Sequence, residues 1–171
     1  MKRSKLPFRL RNSKIAGRGA FATRRIRKGQ KIIEYVGERI TEKESDRRYP
    51  DDDKMERHHT FLFAVEGGIV IDASFGGNES RFINHSCDPN CDAIEEDGGR
   101  IFIEANRTIQ PGEELAYDYQ YARDPGDGPE EEAVYPCHCG SPTCRGTIME
   151  PRKRRRKKKK KTAKRARRTR R

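Results

Sequence analysis

RFINHSCDPNC, Arg81 to Cys91, is the stretch on which the reading of the whole chain turns. Arg81-Phe82-Ile83 begins as a buried element. Asn84, His85, Ser86 and Cys87 follow, and the run closes on the turn-formers Asp88-Pro89-Asn90 before Cys91. Two of the chain's five cysteines lie here, far from the other three. The segment does not read as a surface loop, and it asks what needs an Asn-His pair and a distant cysteine together.

The chain has 171 residues, enough for one domain with a modest core. Hydrophobic residues make up 32% and charged residues 39%, so part of the chain lies outside any core. Residues 152–171 hold 16 Lys and Arg and no acid, which leaves 23 basic residues against 27 acidic in the body. The high isoelectric point, near 9.7, therefore belongs to the tail. No apolar run approaches the length of a membrane span, and the basic N-terminus lacks the apolar stretch of a secretory signal. An intracellular, reducing compartment follows, in which cysteines serve as thiols or metal ligands.

The pattern along the chain predicts many short strands. Leu6 to Leu10 reads as a first strand, AGRGAFA at 16–22 as a glycine-rich turn, and residues 31–36 as a strand after the Lys28-Gly29 turn. TEKE at 41–44 has capping-box spacing, so a short helix runs from 42 until Pro50 stops it. DDDK at 51–54 is a solvated break. HHTFLFAV at 58–65 pairs with IVIDA at 69–73, and CDAIEE pairs with RIFIEANR around Asp97-Gly98-Gly99, giving two hairpins. EELAYDY leads into the last core strand, and residues 122–136 form a loop rich in Gly, Pro and Glu. The fold class is mainly β.

CHCGSPTC sets Cys137, Cys139 and Cys144 within eight residues. Three thiolates this close converge on one Zn²⁺, which takes four tetrahedral ligands. The fourth position falls to water, His138 or another cysteine. His138 points away if both its neighbours bind, which leaves Cys87 or Cys91.

GRG at 17–19, EYVGE at 34–38, RFINHSCDPNC at 81–91, GEELAYDY at 112–119 and the cysteine cluster at 137–144 stand in one order. In that order and spacing they resemble the SET-domain protein lysine methyltransferases with a post-SET zinc knuckle. Each motif alone suits a plainer role, such as a turn, a satisfied core histidine or core aromatics; the five together are specific. The resemblance covers residues 5–149. It implies a SET-domain β-fold of several small sheets, with a threaded (pseudoknot) C-terminal segment and short helices. The SET domain spans 5–121, the post-SET loop and zinc knuckle 122–150, and a basic tail, disordered alone, 151–171.

The same resemblance implies S-adenosyl-L-methionine as methyl donor and a protein lysine as acceptor. Gly17, Arg18, Gly19, Asn84 and His85 are then the cofactor-binding residues. Tyr119 is the catalytic tyrosine, Tyr117 tunes how many methyl groups are added, with one or two favoured, and Tyr35 lines the target-lysine channel. Cys87 joins Cys137, Cys139 and Cys144 on zinc, and Cys91 is left as a free thiol. Arg81 is structural. No cysteine-rich pre-domain accompanies the motifs, Phe61 stands where many relatives have a tyrosine, and the insert before the first hairpin is short and charged.

Methyl transfer from a sulfonium is an in-line displacement. The lysine, with a free pKa of about 10.4, must arrive neutral, which a narrow apolar channel and the donor's positive charge both favour. No carboxylate stands out as a dedicated base, so the proton leaves through water. Alignment is the larger contribution.

The acidic body suits a basic partner, a histone or histone-like protein, and Glu130–Glu132 either serves that partner or is simply solvated. The polycationic tail suits non-specific nucleic-acid binding, nuclear import or self-methylation. Location follows the host: nucleus if eukaryotic or acting in a host, cytoplasm or nucleoid if bacterial. The competing reading is a catalytically weak chromatin or DNA-binding protein that relies on its tail.

Overall fold

A computed structural model of the chain describes residues 6–50, 61–124, 126 and 128–152. The break at 51–54, residues 58–60 and the tail from 153 lie outside the described residues. Among the described residues ten short strands form four small sheets, with two short α-helices between them, so the fold is mainly β, as the sequence predicts.

Strands β1 (Phe8–Asn12) and β2 (Arg18–Ala22) form an antiparallel ribbon. The glycine-rich turn expected over 16–22 is confined to its start. Ser13 N–H donates to Gly17 O at 2.9 Å, and Gly17 has φ 39°. Beyond it, Ala20 and Ala22 alternate into the core, which makes this stretch a strand.

Strand β3 (Lys31–Tyr35), with the later hairpin β8 (Cys91–Glu96) and β9 (Arg100–Ala105), makes a sheet ordered β3-β9-β8. The register shifts between Lys31 and Ile33, which lets Ile32 and Ile33 both bury although they are neighbours. On β9, Ile101, Ile103 and Ala105 point inward with strict alternation. Strand β4 (Glu38–Thr41) pairs with the other hairpin, β5 (Leu62–Val65) and β6 (Ile69–Asp72), in the order β4-β6-β5. Between β4 and β5, α1 (Glu42–Arg48) begins where Thr41 Oγ1 accepts from Glu44 N–H at 3.2 Å. The Glu44 carboxylate does not close the capping box; it bonds Arg47 and Arg48 instead.

Two isoleucine-rich clusters form the core. The larger joins Ile26, Ile83, Ile103, Ile109 and Leu115 with Cys91, and the smaller joins Tyr35, Val65, Ile71 and Ile101. Burying each large aliphatic side chain contributes about 1.5–3 kcal/mol.

The segment around Asn84 departs most from ordinary strand structure. Glu79–Phe82 forms a 3₁₀ turn capped by Asn78. Strand β7 (Asn84–His85) then pairs in parallel with β10 (Ala116–Tyr117). The expected last strand through Tyr119 is thus only two residues long. Asp118 leaves the ladder, and Gln120 takes φ 48°. The expected loop at 122–136 contains α2 (Pro129–Val134), with Pro at its start and Glu130, Glu131 and Glu132 in the first turn, both favourable there. Glu132 accepts from Arg123 at 2.7 Å and from Arg152 at 2.8 Å, so that acid has local partners. No helix among the described residues is long and apolar enough to cross a membrane.

Candidate active site and cysteine centre

Asn84, His85 and Asn90 are buried yet polar, and they are satisfied by segments distant in sequence. The Asn84 amide nitrogen donates to Ala16 O (3.3 Å), Arg18 O (3.1 Å) and Glu114 Oε1 (2.8 Å). It therefore ties the Gly17-Arg18-Gly19 strand entry to the Glu113-Glu114 turn. A Cβ at Gly19 would overlap the Glu114 carboxylate, so a larger residue there would displace the acid that Asn84 holds. Asn90 completes the junction. Its amide donates to Glu114 O at 2.8 Å, and its oxygen accepts from Ala116 N–H at 2.9 Å. These bonds meet the requirement that buried polar groups be paired.

His85 is buried at 3% exposure. Burial pulls its pKa down to about 4, with Asp118 opposing and Arg145 assisting, so the ring is neutral at pH 7. Its Nδ1 accepts from Tyr119 N–H at 3.1 Å. The ring proton therefore sits on Nε2, which lies 3.4 Å from Cys87 Sγ and can donate to it. One side chain touches both Tyr119 and the cysteine cluster.

The aromatic side chains form a continuous line. Tyr35 lies 5.4 Å from Phe63, Phe63 lies 6.2 Å from Tyr117, Tyr117 lies 4.8 Å from Tyr119, and His85 meets Tyr119 edge-on at 5.3 Å. A shared strand does not bring Tyr117 and Tyr119 together, because β10 ends at Tyr117. The turn after it does. The Tyr119 hydroxyl donates inward to Ile83 O at 3.0 Å, while the residue lines a cavity of about 350 Å³ with Phe63, Asp92, Ala93, Asp118 and Gln120.

Burial raises all three phenols. Tyr119 is raised further by Glu114, Tyr117 by its tyrosine neighbours, and Tyr35 by Tyr119 and Asp72. At neutral pH each is a hydrogen-bonding phenol and not a base. Tyr121 leaves this line and stacks on Tyr135 at 4.6 Å.

The sulfurs of Cys87, Cys137, Cys139 and Cys144 all lie within 4.8 Å of one another. Cys87 and Cys137 are 3.7 Å apart. A tetrahedron with Zn–S bonds of about 2.3 Å has edges of about 3.8 Å, so the arrangement suits that ion. Backbone N–H groups of Arg145 (3.3 Å), Cys139 (3.4 Å) and Gly146 (3.4 Å) point at the sulfurs of Cys87, Cys137 and Cys144, as thiolates require. His138 is exposed between two of these cysteines. Cys91 is fully buried in the apolar core, and its thiol is pushed up to about 12, chiefly by burial.

Arg81 donates from Nη1 to Ala73 O at 2.9 Å and lies over Phe61 and Phe82, as a structural residue does. Sequence reasoning did not single out Asn90, Glu114, Asp118 or Arg145 as parts of the site. Glu114 and Asp118 stand inside the GEELAYDY motif, so their position was a usable signal; Arg145 carried none beyond its place after Cys144.

The SET domain family model matches residues 17–120. The chain is 42% identical over 139 residues to "Histone-lysine N-methyltransferase, H3 lysine-4 specific" of Schizosaccharomyces pombe, covering 80% of this chain and 14% of that protein. It is 42% identical over 151 residues to the protein of the same name in Saccharomyces cerevisiae, covering 86% and 14%. To the histone-lysine N-methyltransferase ash1 of Drosophila melanogaster it is 41% identical over 127 residues, covering 72% and 5%. The chain thus spans a small fraction of the relatives it matches. With the match running from the Gly17 turn to Gln120, across the junction and the line of tyrosines, the chain belongs to the SET-domain family.

Proposed function

We propose that this chain transfers methyl groups from S-adenosyl-L-methionine to the side-chain amine of a protein lysine, in a histone or another basic protein. The reading is supported chiefly by Tyr119 and Phe63 lining one cavity, with Tyr117 packed against both and His85 edge-on to Tyr119. The methyl donor supplies an electrophilic methyl on a cationic sulfur. Gly17, Arg18, Gly19, Asn84 and His85 would hold it: Gly17 has open space at its Cα, and the Arg18 carbonyl is fixed by Asn84.

Tyr119, as a phenol anchored on Ile83 O, orients the lysine nitrogen, and the buried Tyr35 and Tyr117 beyond it disfavour an ammonium. No phenol here accepts the proton at neutral pH, so it leaves through solvent. Asp92 at the cavity suits a basic segment. Tyr117 limits the product to one or two methyls, because its hydroxyl occupies the space a larger amine must turn through. Cys87, Cys137, Cys139 and Cys144 would hold one Zn²⁺ that fixes the knuckle beside the cavity. The histone choice and a place on chromatin follow from the relatives' names, and the basic tail favours docking on nucleic acid there.

The test is transfer of labelled methyl from the donor to core histones and to non-histone basic proteins. Label on lysine in histone H3 is the expected result, with Tyr119→Phe reducing turnover by about 100-fold or more at unchanged zinc content. No transfer to any protein, or full activity in Tyr119→Phe, would defeat the proposal.

A further inference from the structure

Arg145 follows the last cysteine of the cluster and reaches back to the tyrosine motif. Its two terminal nitrogens each donate to one oxygen of Asp118, both at 2.8 Å, and both side chains are only 19% exposed. Its backbone N–H donates to Cys87 Sγ. The Asp118 carboxylate also accepts from Gln120 N–H at 3.1 Å. Gln120 is the one non-glycine residue among those described with positive φ, a conformation that L side chains avoid. Something must hold the turn there, and the carboxylate gripped by Arg145 is the group that does.

The consequence falls on Tyr119, which sits inside this turn. Its N–H reaches His85 and its hydroxyl reaches Ile83 only because the chain leaves the ladder at Asp118. We infer that Arg145 is a positioning residue for methyl transfer: its fork on Asp118 fixes the turn that aims Tyr119, and so couples the cysteine knuckle to the catalytic tyrosine. Arg145 need not touch the reacting groups. A lysine is a poor substitute, since a point charge cannot grip both carboxylate oxygens as a planar fork does. The buried Nε of Arg145 has no partner among the described residues, where the fork's grip rests on Asp118.

This inference rests on the role proposed for Tyr119, and the test separates the two. The full chain is compared with Arg145→Met, Arg145→Lys and Asp118→Asn in steady-state kinetics on histone H3, in zinc content and in hydrogen exchange of residues 118–121. Arg145→Met and Asp118→Asn are expected to lower kcat by about 100-fold, as a small misplacement of an aligned group does. KM for the methyl donor and zinc stoichiometry stay as in the parent, and exchange over 118–121 accelerates. Arg145→Lys recovers only part of the loss. In a Tyr119→Phe background, Arg145→Met lowers kcat no further.

Loss of zinc in step with activity would overturn the inference, because Arg145 would then act only in building the knuckle. Parent-like kcat and exchange in Arg145→Met, with Tyr119→Phe inactive, would overturn it alone. Full turnover in Tyr119→Phe itself would instead remove the proposed function, and the inference with it.

Discussion

The β3-β9-β8 sheet and the cysteine knuckle hold together by different means. The sheet has its ladder and an isoleucine core, with Ile101, Ile103 and Ala105 at or near zero exposure. The knuckle tip, residues 137–146, contains no buried residue; only its root is buried, at Tyr135, Thr147 and Met149. A sheet with apolar burial stabilises itself, whereas ten residues without a core need a crosslink. Four convergent sulfurs and the Arg145–Asp118 ion pair are what this segment has. The two cysteines of one short segment show the same division. Cys91 behaves as a small core hydrophobe, and Cys87, four residues earlier, faces the cluster.

Metal removal should break that comparison most sharply. A strong chelator is expected to abolish methyl transfer and strip hydrogen-exchange protection from residues 137–149, while the β8–β9 hairpin keeps its protection. Equal loss in both regions would mean that the sheet depends on the knuckle. The converse perturbation is Ile103→Ala, expected to cost about 2–5 kcal/mol in chemical denaturation while leaving zinc stoichiometry intact. Between the two regions lies the tyrosine line. Because burial holds its phenols above their ordinary range, kcat/KM should climb with pH up to about 10 with no falling limb from tyrosine ionisation. A falling limb below that would show a phenol ionising in the free enzyme. The smallest expected effect is a change of product and not of rate: Tyr117→Phe shifts the distribution towards higher methylation. An unchanged distribution by mass spectrometry would remove Tyr117 from that role.

Much of the fold was legible where a single physical signal governs. The two glycine-centred hairpins follow from alternating strands around Gly67-Gly68 and Gly98-Gly99, and Thr41 announces α1. What escaped was set by contacts distant in sequence. AGRGAFA looks like a turn until β1 pairs with it. EELAYDY looks like a strand until Asp118 is drawn out by Arg145, 27 residues on. α2 was legible in principle, since Pro129 and three glutamates mark a helix start, but its richness in Gly, Pro and acid reads as loop.

At the site, the clustered thiols carried their own signal. The expected line-up of Tyr35, Tyr117, Tyr119, Asn84 and His85 came from the family resemblance and not from spacing. Glu114, Asn90 and Arg145 do their work by hydrogen bonding across the fold, which no local pattern encodes. Cys91, expected only as a free thiol, also fills the core. A hydroxyl in that fully buried site is expected to cost about 1–3 kcal/mol of stability, with no effect on metal.

On the function proposed, the junction at 84–91 joins metal binding to methyl transfer through its first cysteine and not its second. The most direct measurement is zinc content and methyl transfer, side by side, in Cys87→Ser and Cys91→Ser. Cys87→Ser is expected to lose both, while Cys91→Ser, though less stable, keeps one zinc per chain and its turnover. Full turnover in Cys87→Ser, or loss of zinc in Cys91→Ser, would contradict it.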